Sequence, residues 1–380
     1  MKRKAVCLVL VFIGLFSSAL AAPLETDPPF VLETPSYLLL EESTGQVICE
    51  HNADERRPVA SVTKLMTLLL TFESLEDGSI RLGDTVTCSK NAAGMGGSDI
   101  WLKEGEQMRV EDLIKSVVIA SANDAAVVLA EAVAGSEEAF VAEMNKRATE
   151  LGMKTAHFEN TNGLDDTVTN HVLSARDIAI MSRELIKYEK ILEFSSTWMD
   201  SVRDGAFGLT NTNRLIRFYR GATGLKTGST SKAKFCMSAT AERDGMSLIA
   251  VIMAAPTRDA RNSSAAALLD WGFANYSLYR YDAGEDEDIP VLGGVENILH
   301  TAHGDFCTVV KKGEEKKVEA QKELPESVSA PVRKGDAVGA ITFRLDGGEL
   351  GRIDISAAHG VDKISFGGLL LRMLKRFFLT

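Results

Sequence analysis

The spacing of apolar residues changes along the chain, and each change marks an element. The stretch "SYLLLEESTGQVICEHNAD" is apolar on both sides of Ser43-Thr44-Gly45, which predicts a β-hairpin. In "PVASVTKLMTLLLTFES", Val62, Leu65, Met66, Leu69 and Phe72 recur at three- and four-residue spacing, which predicts a helix starting near Ser61 with a buried stripe. The helical period continues from Val110 to Ala120 and from Asp124 to Ala134, interrupted at Ser121-Ala122-Asn123 and stopped at Gly135. "SEEAFVAEMNKRATELGM", with Phe140, Met144, Arg147 and Leu151 on one side, and "SARDIAIMSRELI" predict two more helices. After Gly221 the pattern becomes strand-like, with one short strand and then a hairpin turning at Asp244-Gly245. Strands at both ends with helices between them predict an α/β domain over 28–280, the N-terminal hairpin adding to the later strands.

From about Tyr281 the pattern shifts again. "DAGEDEDIP" and "KKGEEKKVEAQKELPES" read as charged connectors, while "ENILHTAHGDFCTVV", "DAVGAITFRL" and "ELGRIDIS" read as short strands of a small β-rich domain, 281–362. The last stretch, 363–380, spaces Phe366, Leu370, Met373, Leu374 and Phe377 as one helix face, with Arg372, Lys375 and Arg376 on the other. It is too short to span a bilayer, so it is expected to lie in a membrane surface. The plainer reading is a terminal helix docked on the β domain.

Composition narrows the functional classes. The 380 residues are 45% hydrophobic and 25% charged, enough for a sizeable core and two domains. Lys2, Arg3 and Lys4, an apolar run from Ala5 to Leu20 and a small-x-small site at Ala19-Leu20-Ala21 read as a signal peptide, 1–21, with an uncleaved anchor as the rival. Either reading places the remainder outside the cytoplasm, associated with the outer face of the cytoplasmic membrane. Loss of those three cations takes the formal charge from −11 to −14, so nucleic acid is not an expected partner. Cys49, Cys88, Cys236 and Cys307 are too scattered for a disulfide framework and lack metal-ligand spacing, and there is no phosphate loop and no HExxH, so neither metal nor cofactor is expected.

The candidate chemistry starts at Ser61 and Lys64. Their i, i+3 spacing puts both on one helix face. A serine hydroxyl needs a base within reach, and lysine serves only if its pKa falls from about 10.4 to about 7–8, through burial or a neighbouring cation. SxxK alone is weak: Ser229/Lys232 and Ser231/Lys234 match it too, and an isolated Ser61 reads as a helix cap. The company is what matters. Ser121-Ala122-Asn123 lies at an interhelical break, and Lys226-Thr227-Gly228, the only KTG, lies on a strand. Ser89-Lys90-Asn91 also matches SxN, but in a Gly-rich connection. SxxK, SxN and KTG in that order make a specific signature.

With these motifs the sequence resembles the penicillin-recognising serine D-Ala-D-Ala carboxypeptidases, the low-molecular-mass penicillin-binding proteins. The likeness runs through "NADERRPVASVTKLMTLLL", "IASANDAAVVLAE", "FENTNGLDD", "NTNRL" and "GATGLKTGSTSKAKFCMSATAERDG" and on to a small β domain and a C-terminal amphipathic anchor. It implies a penicillin-binding/β-lactamase-like transpeptidase domain, an antiparallel sheet flanked by a helical cluster. Carried onto this chain, it makes Ser61 the acylated nucleophile, Lys64 its base and Ser121 a proton relay to the leaving amine. It gives Asn123 the substrate amide, Lys226 and Thr227 the terminal carboxylate, and Lys226 a second task as the cation that depresses Lys64. Gly228 would let the substrate backbone lie against the strand, and the Ser61 and Ser229 backbone N–H groups would form the oxyanion hole. Ser229, Val172 and Leu173 depart from the residues common in relatives, which bears on substrate preference. His157 and His171 have no role in the pattern and read as structural.

The resemblance implies removal of the terminal D-Ala from peptidoglycan stem peptides, with β-lactams as covalent inhibitors. Two rival readings compete with it. A β-lactamase needs a deacylating carboxylate, for which the sequence offers Glu159 without the E-x-x-L-N motif. A non-catalytic peptidoglycan-binding protein has no use for a lysine held beside a serine.

Overall fold

The computed structural model describes Leu24 and residues 28–166 and 168–378, so the signal-like segment 1–21 lies outside the described residues. The expected N-terminal hairpin forms from β1 (Ser36–Glu41) and β2 (Val47–His51). The helical run follows: α1 (Lys64–Glu76), α2 (Val110–Lys115), α3 (Asn123–Ala134), α4 (Glu137–Glu150) and α5 (Ala175–Leu185). Gly135, at φ +83°, ends α3 in the left-handed region that glycine occupies without penalty. "SARD" closes a capping box on α5: Ser174 Oγ accepts from Asp177 N, and the Asp177 carboxylate takes the Ser174 N–H. On α4 the buried face is Phe140, Met144 and Ala148. Arg147 instead leaves that face to pair with Glu73, Glu150 and Glu184, as an arginine should.

Three strands complete the sheet: β3 (Ala222–Thr230), β4 (Lys234–Arg243) and β5 (Met246–Ala255). The order is β2-β1-β5-β4-β3, all antiparallel, so the N-terminal hairpin joins the later strands through β1 and β5. Asp244 and Gly245 both have positive φ, the geometry of a two-residue hairpin turn. Sequence periodicity missed α6 (Arg258–Asn275), whose buried face mixes Ala260, Ser264, Ala265 and Gly272 with Arg261, Leu268, Leu269, Trp271 and Phe273. Alternation along the strands builds a core on each side of the sheet. Leu38, Leu40, Ile249 and Val251 pack against the helical cluster. Tyr37, Leu39, Leu248 and Ala250 pack against α6.

After α6, β6 (Tyr276–Tyr281) pairs with β7 (Phe306–Lys311), so by hydrogen bonding this strand belongs with the C-terminal unit, ahead of the break expected at 281. A hairpin of Ala337–Leu345 and Gly348–Ala357 carries a small core of Ile341, Phe343 and Ile355. The chain then forms α7 (Phe366–Phe378). Arg372 of α7 donates to the carbonyls of Gly294 and Val295 and to Asn297 Oδ1, while Phe366, Leu370, Met373 and Phe377 remain exposed. No described helix is long and apolar enough to cross a membrane.

Candidate active site

Ser61 is not a helix cap. It lies in a single 3₁₀ turn, Ala60–Thr63, and makes no capping hydrogen bond; Lys64 is the first residue of α1. The turn is held by two close backbone approaches. At Gly163, φ +84°, a Cβ would lie 1.8 Å from the Ala60 carbonyl oxygen. At Gly228 of β3, a Cβ would lie 2.6 Å from Val59 O and 3.0 Å from Ser61 N. The absence of a side chain at Gly228 makes room for the protein's own nucleophile turn, bringing β3 against the Ser61 amide.

Lys64 is fully buried. Its Nζ lies 2.8 Å from Ser61 Oγ, 2.5 Å from Asn123 Oδ1 and 2.9 Å from the Asn162 carbonyl oxygen. A neutral amine has two N–H donors and one lone pair. With Asn123 and Asn162 accepting the donors, the lone pair is left facing Ser61 Oγ, which is the geometry of a general base. Burial, and after it the positive charge of Lys226, holds the Lys64 ammonium well below its ordinary range, against the opposing pull of Asp99 and Asp124.

The SxN segment owes its shape to a break in the helical run. After α2 the backbone widens into a π turn, Ser116–Ala120, and Ser121 sits in the left-handed region at φ +63°. That turns Ser121 Oγ toward Lys226 Nζ, which donates to it at 2.8 Å. Asn123 uses both ends of its amide internally, Oδ1 to Lys64 and Nδ2 to the Gly96 carbonyl at 2.6 Å. Beside it, the buried Asp124 carboxylate accepts the Ile100 and Leu102 N–H groups, fixing the 96–102 loop over the site. Sequence reasoning missed this anchor, although Asp124 directly follows the SxN motif.

Lys226 is buried behind Ser121. Its Nζ also reaches the Thr227 carbonyl oxygen at 2.8 Å, and burial, then Arg261, lowers it to about 7. Thr227 Oγ1 donates to Thr212 Oγ1 at 2.8 Å, and Ser229 is exposed on the cleft wall. The cleft has a volume of about 700 Å³ and is lined by Ser61, Ser121, Thr227, Gly228 and Ser229. It thus gathers five of the expected residues, with Lys64, Asn123 and Lys226 behind its floor. Four arginines not foreseen also line it: Arg214, Arg217, Arg258 and Arg261. They come from two separated segments, and nothing local in sequence joins them.

The decoy motifs fall elsewhere. Lys232 Nζ donates to the Asp165 carbonyl oxygen. Ser89 caps the short helix Lys90–Ala93, a helix the sequence did not suggest, and Asn91 Nδ2 donates to Glu131 and Glu137. Glu159 accepts the Thr169 and Asn170 N–H groups. His171 Nδ1 accepts from Glu159 N, so its Nε2 donates to Thr63 Oγ1; burial lowers it to about 4, and it braces the nucleophile turn as a neutral ring. Cys49, Cys88, Cys236 and Cys307 are not joined in disulfides among the described residues.

This constellation matches known proteins over most of its length. The D-alanyl-D-alanine carboxypeptidase family matches residues 23–257, and the C-terminal domain of penicillin-binding protein 5 matches residues 275–363. D-alanyl-D-alanine carboxypeptidase DacF of Bacillus subtilis is 40% identical over 90% of this chain and 89% of its own. The structure of penicillin binding protein 5 from Haemophilus influenzae superposes with a TM-score of 0.79 at 30% identity, covering 89% of this chain and all of that one. Penicillin-binding protein D2 from Listeria monocytogenes, solved in its ampicillin-bound form, covers 65% of this chain at 30% identity and a TM-score of 0.60. The chain therefore belongs to the D-alanyl-D-alanine carboxypeptidase family, with the penicillin-binding protein 5 C-terminal domain following the catalytic one.

Proposed function

We infer that the protein is a serine D-Ala-D-Ala carboxypeptidase that removes the terminal D-Ala of peptidoglycan stem peptides through a Ser61 acyl-enzyme and is inhibited by β-lactams. The observation that carries this is the buried Lys64 amine, 2.8 Å from Ser61 Oγ, with Asn123 Oδ1 and the Asn162 carbonyl positioned to accept its two N–H donors. Ser61 Oγ attacks the penultimate D-Ala carbonyl while Lys64 takes its proton. The tetrahedral oxyanion is held by the Ser61 and Ser229 N–H groups, each such donor contributing about 2.7–4 kcal/mol. The close approach of Gly228 to the Ser61 amide supports that pairing. As the C–N bond breaks, Ser121, fixed by Lys226, passes its proton to the departing amine and is reprotonated from the Lys64 ammonium; water then attacks the acyl carbon, Lys64 taking its proton and returning it to Ser61 Oγ as the ester bond breaks. Lys226 does not reach the cleft, so the terminal carboxylate falls to Thr227 and to Arg261, a guanidinium only 3% exposed. Asn123 acts here by orienting Lys64.

The test is D-alanine release from a peptide ending in L-Lys-D-Ala-D-Ala, by the wild type, Ser61→Ala and penicillin-treated protein. Release confined to untreated wild type supports the reading. Release that persists in Ser61→Ala sinks it.

We also propose that the protein works outside the cytoplasm, delivered by the 1–21 segment and held at the membrane surface by α7. The exposed side chains of Phe366, Leu370, Met373 and Phe377 support the second part. Co-sedimentation with anionic phospholipid vesicles, with and without residues 365–380, tests it; equal partition of the two forms counts against it.

A further inference from the structure

The cleft is electrostatically one-sided. Among the described residues four arginines line it and no aspartate or glutamate does, although the whole chain carries a formal charge of −11. Among the described residues, none of Arg214, Arg217, Arg258 and Arg261 has a carboxylate partner. Arg217 instead lies near two rings, its guanidinium 5.5 Å from the centre of Trp198 and 5.4 Å from that of Phe218, within cation–π range. Among the described residues Arg261 donates only to Asn262 Oδ1.

The arginines also share a side. Thr212 bonds Thr227, and Asn213 Nδ2 donates to the Gly224 carbonyl at 2.7 Å, pinning the segment that carries Arg214 and Arg217 against β3. Arg258 and Arg261 come from the first turn of α6. The basic wall therefore flanks Thr227, where the substrate's terminal carboxylate sits in the carboxypeptidase reading on which this inference rests. It faces the path by which D-alanine leaves and the next nucleophile enters.

We propose that Arg214, Arg217 and Arg258 form a charge filter on the leaving-group side, admitting nucleophiles and leaving groups that carry a carboxylate and turning away cationic amines that lack one. Two fates are open to the acyl-enzyme. In hydrolysis, water oxygen bonds the acyl carbon, the ester bond to Ser61 Oγ breaks, one water proton goes to Oγ and the new acid ionises. In aminolysis, an amine nitrogen bonds the acyl carbon, the same ester bond breaks and the nitrogen's proton passes through Lys64 to Oγ. The filter acts before either bond forms, on which nucleophile arrives. Fields of this kind change encounter rates by about 10- to 1,000-fold and fade with salt.

The experiment offers the acyl-enzyme D-leucine or D-leucinamide at neutral pH and reads the transfer products by mass. The amide has the less basic, more available amine, so intrinsic chemistry favours it. The expected result is a preference for D-leucine of about tenfold in the wild type. In an R214Q/R217Q/R258Q protein that preference falls several-fold, although Thr227 and Arg261 remain. The Lys triple variant restores it, and the decline of kcat/KM with salt flattens only in the Gln variant. Endpoint labelling of Ser61 with fluorescent penicillin checks the fold; should the triple variant fail it, Arg258→Gln carries the same test. Unchanged preference and salt slope in a labelled variant overturn the filter alone. A wild type that neither releases D-alanine nor takes penicillin overturns the carboxypeptidase reading and the filter with it.

Discussion

Helices α1 and α7 each combine leucines with basic residues, and the fold treats them oppositely. In α1, Leu65, Met66, Leu68 and Leu69 are at most 1% exposed, and Lys64 is buried with them. In α7, Phe366 is 84% exposed and Phe377 81%. Burial in α1 does chemical work: taking water away from Lys64 turns an ammonium into a base. In α7 no described part of the chain covers the apolar face, which is left to meet something else. Composition alone does not separate the two; what packs around them does.

The sharpest way to break this contrast is to remove one charge from each helix. Lys64→Met should lower kcat/KM for D-alanine release by at least about 10³-fold, since general-base catalysis contributes about 10²–10⁴ and the vacated site also misplaces Ser61. Lys375→Met in α7 should change it less than about twofold. Comparable losses would mean that Lys64 acts through stability, which thermal unfolding of both variants would show. The same pairing applies to packing. Leu69→Ala should cost about 2–5 kcal/mol in urea unfolding, whereas Leu370→Ala should stay within about 0.5 kcal/mol. A third pair concerns glycines. Gly228→Ala should slow penicillin acylation by about 10²-fold, because the added methyl would press on the backbone of the Ser61 turn. Gly367→Ala, with nothing within 4 Å of its Cβ, should leave acylation unchanged.

The sequence was informative where the determinant was local. SxxK, SxN and KTG could be read because each is a few adjacent residues, and the Asp244-Gly245 turn because its residues dictate its geometry. It was less informative where the determinant lay across the fold. The Asn162 carbonyl that accepts from Lys64 is a backbone group, which no residue type announces. Gly228 suggested a close approach by substrate backbone; the close approach of the Ser61 turn to it comes from a segment far away in sequence. Arg214, Arg217, Arg258 and Arg261 converge only after β3 and α6 are placed. α6 escaped notice because the first half of its buried face, Ala260, Arg261, Ser264 and Ala265, is small or polar and leaves no apolar stripe there.

The two buried lysines allow the contrast to be tested through stability as well as rate. Lys226 falls from an ordinary 10.5 to about 7 in the folded protein. Between those values the unfolded chain holds a proton that the folded chain has released, so stability rises with pH through the window. From pH 7.5 to pH 9.5 this single group should add about 2 kcal/mol to the unfolding free energy. Lys226→Met, which has no proton to exchange, should show correspondingly less gain between the same two urea titrations. A wild type and a Lys226→Met protein that gain equally would mean that Lys226 is charged in the folded protein over this range. Lys226 would then donate to Ser121 Oγ throughout as an ammonium, leaving the Ser121 hydroxyl proton free to point at the departing amine.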